Sequence, residues 1–185
     1  MRIIAGQHRG QKLAEVGAGD EAAHLRPTSD RVREAIFSVL GAGRIGDCVS
    51  GARVLDLFAG TGALGLEALS RGAASVTFVE QGIAAQRLLT ANVRRLDRLA
   101  DCTVLSADAL ALPVASRQHD LVFLDPPYGQ RLGSAALASA SRAGWLAPGA
   151  VIAWEENAQQ IAPRGFRRLD AKRYSDTWVT FLRAT

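Results

Sequence analysis

From residue 52 onward the chain alternates apolar runs of strand length with stretches of helical period, and this alternation restricts the fold more than any other feature. Strands are expected over 53–58, 75–80, 103–106, 119–124 and 150–155. Helices are expected from a glycine-rich turn to about residue 71, over 82–96 and over 134–143. Repeated strand–helix units imply a largely parallel sheet covered on both faces, the α/β arrangement, in which each strand is a near-continuous apolar run. The C-terminal end departs from this pattern. Two β-like runs, 165–174 and 178–182, flank Ser175-Asp176-Thr177, a tight turn, and predict an antiparallel hairpin at the edge of the sheet.

The first 50 residues are read as an extension, and 51–185 as the main domain. Residues 1–14 suggest a small hairpin: Arg2-Ile3-Ile4-Ala5 and Gln11-Lys12-Leu13 flank Gly6-Gln7-His8-Arg9-Gly10, a turn with glycine at both ends. Residues 15–25 are polar and rich in Gly and Ala, a loop composition. Thr28 or Ser29 caps a helix whose apolar stripe is Val32, Ala35, Ile36, Val39 and Leu40, ended by Gly41-Ala42-Gly43. A length of 185 residues with 48% hydrophobic content suits one domain with a small appendage. No run approaches the roughly 18 apolar residues of a membrane span, and the N-terminus turns polar too soon for a secretory signal. Cys48 and Cys102 lie far apart without a Cys-x-x-Cys pattern, so neither a zinc site nor a disulfide framework is implied. The expectation is a reduced, cytoplasmic protein without a metal.

Two motifs carry chemistry. Val54-Leu55-Asp56-Leu57-Phe58 runs into Ala59-Gly60-Thr61-Gly62-Ala63-Leu64-Gly65, a turn that lets a ligand approach the main chain at a helix start. The spacing also matches the dinucleotide fingerprint. However, Asp56 lies four residues before the first glycine, and a carboxylate there suits a ligand bearing an ammonium group rather than a pyrophosphate. S-adenosylmethionine has that group. Glu80 closes the second strand, where a carboxylate can accept from ribose hydroxyls. Asp108, after the third strand, can accept from an adenine amine or cap a turn. The second motif, Asp125-Pro126-Pro127-Tyr128, follows the apolar run Leu121-Val122-Phe123-Leu124 and so sits at a strand's carboxyl end. Two prolines stiffen it and remove two donors. A carboxylate, carbonyl oxygens and an aromatic ring remain, a set that suits a flat group carrying an –NH₂.

The glycine turn, Glu80, Asp108 and the tetrapeptide, in this order, resemble a class I S-adenosylmethionine-dependent methyltransferase that modifies exocyclic amines. More narrowly, the chain resembles the RsmD family through Arg2-Ile3-Ile4-Ala5-Gly6 with His8-Arg9-Gly10, and Arg26-Pro27-Thr28-Ser29-Asp30-Arg31-Val32-Arg33-Glu34-Ala35-Ile36-Phe37. Leu55 to Gly62 and Phe123 to Tyr128 complete the set. The stretch 15–24 departs from it as an insertion. The resemblance implies a Rossmann-like, seven-stranded, mostly parallel sheet with the C-terminal hairpin, and methyl transfer to guanine N2 in small-subunit (16S) ribosomal RNA by a monomer. It implies catalytic roles for Asp125, Pro126 and Tyr128. The cofactor set is Asp56, Phe58, Ala59, Gly60, Thr61, Gly62, Glu80, Asp108 and Ala109.

Net charge is +4, the sequence pI is about 9.7, and the only lysines are Lys12 and Lys172. Arginine's planar fork suits phosphate, though a GC-rich codon bias gives the same composition. The expected RNA contacts are His8, Arg9, Lys12, Arg26 and Arg31, with Arg33 either joining them or lying on a solvated helix face. A second basic cluster, Arg164, Arg167, Arg168, Lys172 and Arg173, reads as a solvated edge. Rival readings are a DNA adenine-N6 methyltransferase, which shares the tetrapeptide, and a protein glutamine methyltransferase, which has Asn at its first position. Others are an RNA-binding assembly factor with a vestigial cofactor site and a nicotinamide oxidoreductase.

Overall fold

The structure is a computed structural model that describes residues 1–14, 29–42 and 45–185. Its elements are α1 (Asp30–Ala42), β1 (Arg53–Leu57), α2 (Ala63–Ser70), β2 (Ser75–Val79), α3 (Ile83–Arg95), β3 (Cys102–Leu105), β4 (His119–Leu124), α4 (Leu132–Arg142), β5 (Leu146–Glu156), β6 (Phe166–Tyr174) and β7 (Thr177–Ala184). The seven strands form one sheet in the order β3-β2-β1-β4-β5-β7-β6. β1 to β5 pair in parallel, and β7 runs antiparallel between β5 and β6. The chain steps outward in one direction from β1 through β2 to β3, then returns to place β4 on the other side of β1. The switch point therefore lies between β1 and β4, the crevice where open α/β sheets hold ligands.

Side-chain alternation divides the core. Val54, Phe78, Phe123 and Phe181 face a cluster with Ile3, Leu13, Ile36, Phe37 and Leu40. Leu55, Leu57, Val122, Leu124, Ile152 and Trp154 face another with α4 residues Ala136, Leu137 and Ala140. With a period of two, Asp56 points to the same face as Val54, toward α2. Gly65 permits that close packing: a Cβ there would meet Val76 Cγ1 at 2.8 Å and Asp56 Oδ2 at 3.0 Å.

Most boundaries fall within two residues of expectation. The exception is β5, which starts at Leu146 rather than 150. The strand carries Pro148 and Gly149 through an irregularity where the β4 register shifts between His119 and Leu121. The C-terminal basic cluster lies on or beside β6, the free edge, and its members are exposed. Charge along an edge strand discourages pairing with a second chain.

The N-terminal residues form the expected hairpin around an Arg2–Lys12 bridge. Its dock is a buried acid on α2: Glu67 accepts from the N–H of Ile4 at 2.8 Å and of Ala5 at 3.0 Å. Gly6 lies so close to the carbonyl of Ser70 that a Cβ has no room. Arg33 requires a correction. It is neither a solvated residue nor a phosphate contact: it is fully buried, 3.6 Å from Glu67, and donates to Asp30 and to the Arg2 carbonyl. Burial lowers its pKa, and Glu67 and Asp30 oppose that shift. The helical register that points Val32, Ile36 and Val39 inward brings Arg33 in beside them.

Candidate active site

The glycine turn joins β1 to α2 at the switch point. Phe58 holds a left-handed φ of 60°, uncommon for a bulky residue and a form of strain that collects at functional sites. Asp56 is 2% exposed, and its Oδ2 accepts from the N–H of Gly65 at 2.9 Å. It thus supplies the acceptor that α2 lacks at its Gly62 cap. Burial pushes its carboxyl up to about 8, against the Gly65 hydrogen bond and with help from the nearby charge of Glu80. Among the described residues no cationic side chain pairs with it.

Glu80 follows β2 and ties two loops together. Its Oε2 accepts from the N–H of Gly60 at 2.8 Å, and its Oε1 from the N–H of Gly82 at 2.7 Å. Each oxygen keeps a lone pair for a further donor. At the head of α3, Ile83 is 70% exposed and offers apolar surface beside this acid. Asn92 on α3 donates to the carbonyls of Thr61 and Ala14, so it links the turn to the end of the hairpin. Asp108 is exposed and caps the short 3-10 turn Ala109–Ala111, accepting from Leu110 at 2.8 Å. The turn-cap alternative therefore describes one of its oxygens, and Ala109 beneath it is buried.

The tetrapeptide leaves the end of β4, whose Leu124 pairs with Leu57 of β1 and Trp154 of β5. Asp125 and Tyr128 are half-buried, Pro126 is buried and Pro127 exposed. Adjacent strands lie about 4.8 Å apart, so the glycine turn and Asp125 open side by side into the same crevice. Tyr128 donates its hydroxyl to Glu155 at 2.7 Å. Burial and the charge of Glu155 both raise its pKa, which keeps the phenol protonated. Glu155 and Glu156, both 4% exposed, were not singled out from the sequence. Their signal was position: β2 runs into Glu80, β4 into Asp125, and β5 closes on this acidic pair.

The basic residues of the extension are arranged differently from expectation. The tip of the hairpin packs on Ser70, the last residue of α2, so it lies one helix length, about 12 Å, from the glycine turn. His8 is 8% exposed and beside Arg98, with its pKa lowered by burial and by that arginine. This corrects its expected role as a phosphate contact: the imidazole is tucked under the hairpin. Arg98 folds back to Asp101 at 2.7 Å. Arg9, Lys12 and Arg31 are exposed. A groove of about 750 Å³ between hairpin and α1 is lined by Arg2, Arg9, Arg31 and Arg71 with Asp30 and Glu34. Arg26 and Thr28 lie outside the described residues; Ser29 accepts from Val32 at 3.2 Å, as a cap should.

Among the described residues no cluster of His, Cys, Asp and Glu could hold a metal, and no helix is long and apolar enough to cross a membrane. Residues 1–183 match the family described as Conserved hypothetical protein 95. The ribosomal RNA small subunit methyltransferase D of Escherichia coli K12 is 38% identical over 164 residues, 88% of this chain and 78% of its own length. The protein of the same name from Haemophilus influenzae is 35% identical over 178 residues, 93% and 88% of the two chains. A solved Escherichia coli structure, the proposed methyltransferase YhhF, aligns with a TM-score of 0.83 at 34% identity, covering 100% of this chain and 97% of that one. The chain belongs to the RsmD family and has the class I methyltransferase fold.

Proposed function

We propose that the protein transfers a methyl group from S-adenosylmethionine to the exocyclic N2 amine of a guanine in small-subunit ribosomal RNA. The observation that carries this reading is the pairing of β1 with β4, which sets the glycine turn and Asp125-Pro126-Pro127-Tyr128 at one switch point in a chain of this family. The donor set fits the cofactor. Asp56 and Glu80 flank a turn without a lysine or arginine, which suits a cationic nucleoside and not a pyrophosphate. Phe58, Ala59, Gly60, Thr61 and Gly62 hold it with the main chain, and Asp108 with Ala109 borders the adenine. When bound, the cofactor supplies a methyl carbon whose bond to sulfur breaks as the new C–N bond forms.

Asp125 and the carbonyl of Pro126 accept the two N–H bonds of the amine. This orients the nitrogen and stabilises the positive charge that develops on it. Tyr128 stacks on the base, so most of the acceleration comes from positioning. After transfer the nitrogen gives up one proton, to Asp125 or to water. A paired guanine does not expose this edge to a pocket, so the target is unpaired or flipped out. Arg9, Lys12, Arg26 and Arg31 contact phosphates of the surrounding RNA, and the protein works as a cytoplasmic monomer.

Transfer of labelled methyl to rRNA, isolated small subunits and duplex DNA tests the reading, with nucleoside mass spectrometry of the product. N2-methylguanosine in small-subunit RNA is expected. Transfer to DNA alone would overturn it.

Asp56 predicts a pH dependence. A carboxyl that holds its proton up to about pH 8 must release it to pair with a bound cation. Cofactor affinity should therefore rise with pH below about 8, by at most about tenfold per unit, and level off above. Asp56→Asn should flatten the profile; calorimetric titration at several pH values reads both. For the RNA contacts, an Arg9→Ala, Lys12→Ala, Arg31→Ala variant should keep its cofactor affinity. It should weaken RNA binding and lower the salt slope by about 0.7–0.9 per lost contact. These substitutions test the contacts more cleanly than deleting 1–14, which would strip Glu67 and Asn92 of backbone partners.

A further inference from the structure

The Tyr128 residue is held at two points by neighbouring acids. Its hydroxyl donates to Glu155 Oε1 at 2.7 Å, with Thr177 Oγ1 at 3.4 Å. The amide just after it, the N–H of Gly129, donates to Glu156 Oε1 at 3.2 Å, and Glu156 also accepts from Asn157 at 2.9 Å. Glu155 and Glu156 end β5, and Thr177 opens β7, two strands that pair directly. Burying two consecutive carboxylates is costly unless donors meet them. Packing alone would favour apolar residues at these positions. Here each receives a donor from the tetrapeptide loop, the Tyr128 hydroxyl for Glu155 and the Gly129 N–H for Glu156.

The geometry points to Glu155 as a positioning residue: it fixes the plane of the Tyr128 ring, and with it the angle at which the target amine meets Asp125. This rests on the reading that Tyr128 stacks on the base. The prolines before Tyr128 restrain its backbone, and a hydrogen bond at the far end of the ring fixes the direction of the ring axis; the plane follows because a phenol O–H prefers to lie in the plane of its ring as it points at the acceptor. A charged acceptor makes that bond stronger than a neutral one. Without it the ring samples a range of tilts, and fewer bound bases reach the reactive alignment. The loss falls on kcat, while cofactor binding is untouched.

Methyl transfer to rRNA by Glu155→Ala, Tyr128→Phe and their combination tests this. Each single variant should lose about 10- to 100-fold in kcat with unchanged S-adenosylmethionine affinity, and the double variant should be no worse than either. Glu155→Gln, which keeps an acceptor, should recover most of the rate. A general packing defect would give neither the non-additivity nor the recovery. If Glu155→Ala does not fold, Tyr128→Phe decides, since it removes the same bond without touching the strand. Near-normal kcat in Tyr128→Phe, or additive losses, would overturn the proposal. Tyr128→Ala separates the two levels. Crippled Tyr128→Ala beside normal Tyr128→Phe sinks the positioning role alone, whereas normal Tyr128→Ala sinks the stacking reading beneath it.

Discussion

Asp125→Ala is expected to slow methyl transfer by at least about 10²–10³-fold, the usual cost of removing one acceptor or donor aimed at developing charge. S-adenosylmethionine affinity should change little, because Asp125 belongs to the loop after β4 and the cofactor-facing turn follows β1. The amine of guanine is a poor nucleophile, since its lone pair is conjugated into the ring. A carboxylate that accepts one N–H draws that lone pair out of conjugation and favours the cation that forms as the bond to carbon grows. Asn at this position keeps an oxygen acceptor and loses the charge. Asp125→Asn therefore separates alignment from electrostatics: a rate near wild type assigns the effect to alignment, and one as low as alanine's assigns it to charge. Single-turnover kinetics with calorimetric titration of the cofactor measures both terms. Loss of cofactor binding in Asp125→Ala would mean that the residue serves the other half of the crevice.

The sheet was legible because buried parallel strands announce themselves as apolar runs, and the hairpin because Ser175-Asp176 sits between two β-like segments. Strand ends were equally readable: a short acid after a strand of valines and leucines has few reasons to be there, which marked Glu80 and Asp125. The reading failed where a charged side chain turned inward. Arg33 and His8 look in sequence like members of a basic face, because arginines neighbour them and the one local partner, Asp30 beside Arg33, gives no sign of burial. The buried partner of Arg33, Glu67, is 34 residues away, and the His8 imidazole lies against Arg98, 90 residues away. Long-range pairing of this kind leaves no local periodicity to read. Glu155 and Glu156 were missed for a related reason. Their donors, Tyr128 and Gly129, lie 27 residues earlier, and only the β4–β5 pairing brings the two stretches together.

Glu67→Ala is expected to destabilise the protein by about 3–5 kcal/mol, the cost of leaving a buried charge without its partner. The carboxylate is fully buried and serves four groups at once: the amides of Ile4 and Ala5, Arg71 at 2.7 Å, and Arg33 at 3.6 Å. Removing it orphans two amides and leaves the buried guanidinium, two of whose nitrogens already lack a hydrogen-bond partner, with only the half-exposed Asp30 and the Arg2 carbonyl. At roughly 2–4 °C per kcal/mol for a chain of this size, the melting temperature should fall by about 10 °C. Arg33→Met should cost clearly less. It removes the buried cation with its desolvation penalty, fills similar volume, and leaves Glu67 bound to Arg71 and both amides. Urea unfolding followed by circular dichroism orders the two variants; equal losses, or a stable Glu67→Ala, would show that the ion pair is not what binds the extension. The consequence for function follows from place. Glu67 lies on the helix that begins at the glycine turn and holds the hairpin that lines the basic groove. Losing it should therefore lower both the affinity and the salt slope of RNA binding before it alters the chemistry at Asp125, since the strands that carry the crevice keep their own pairing.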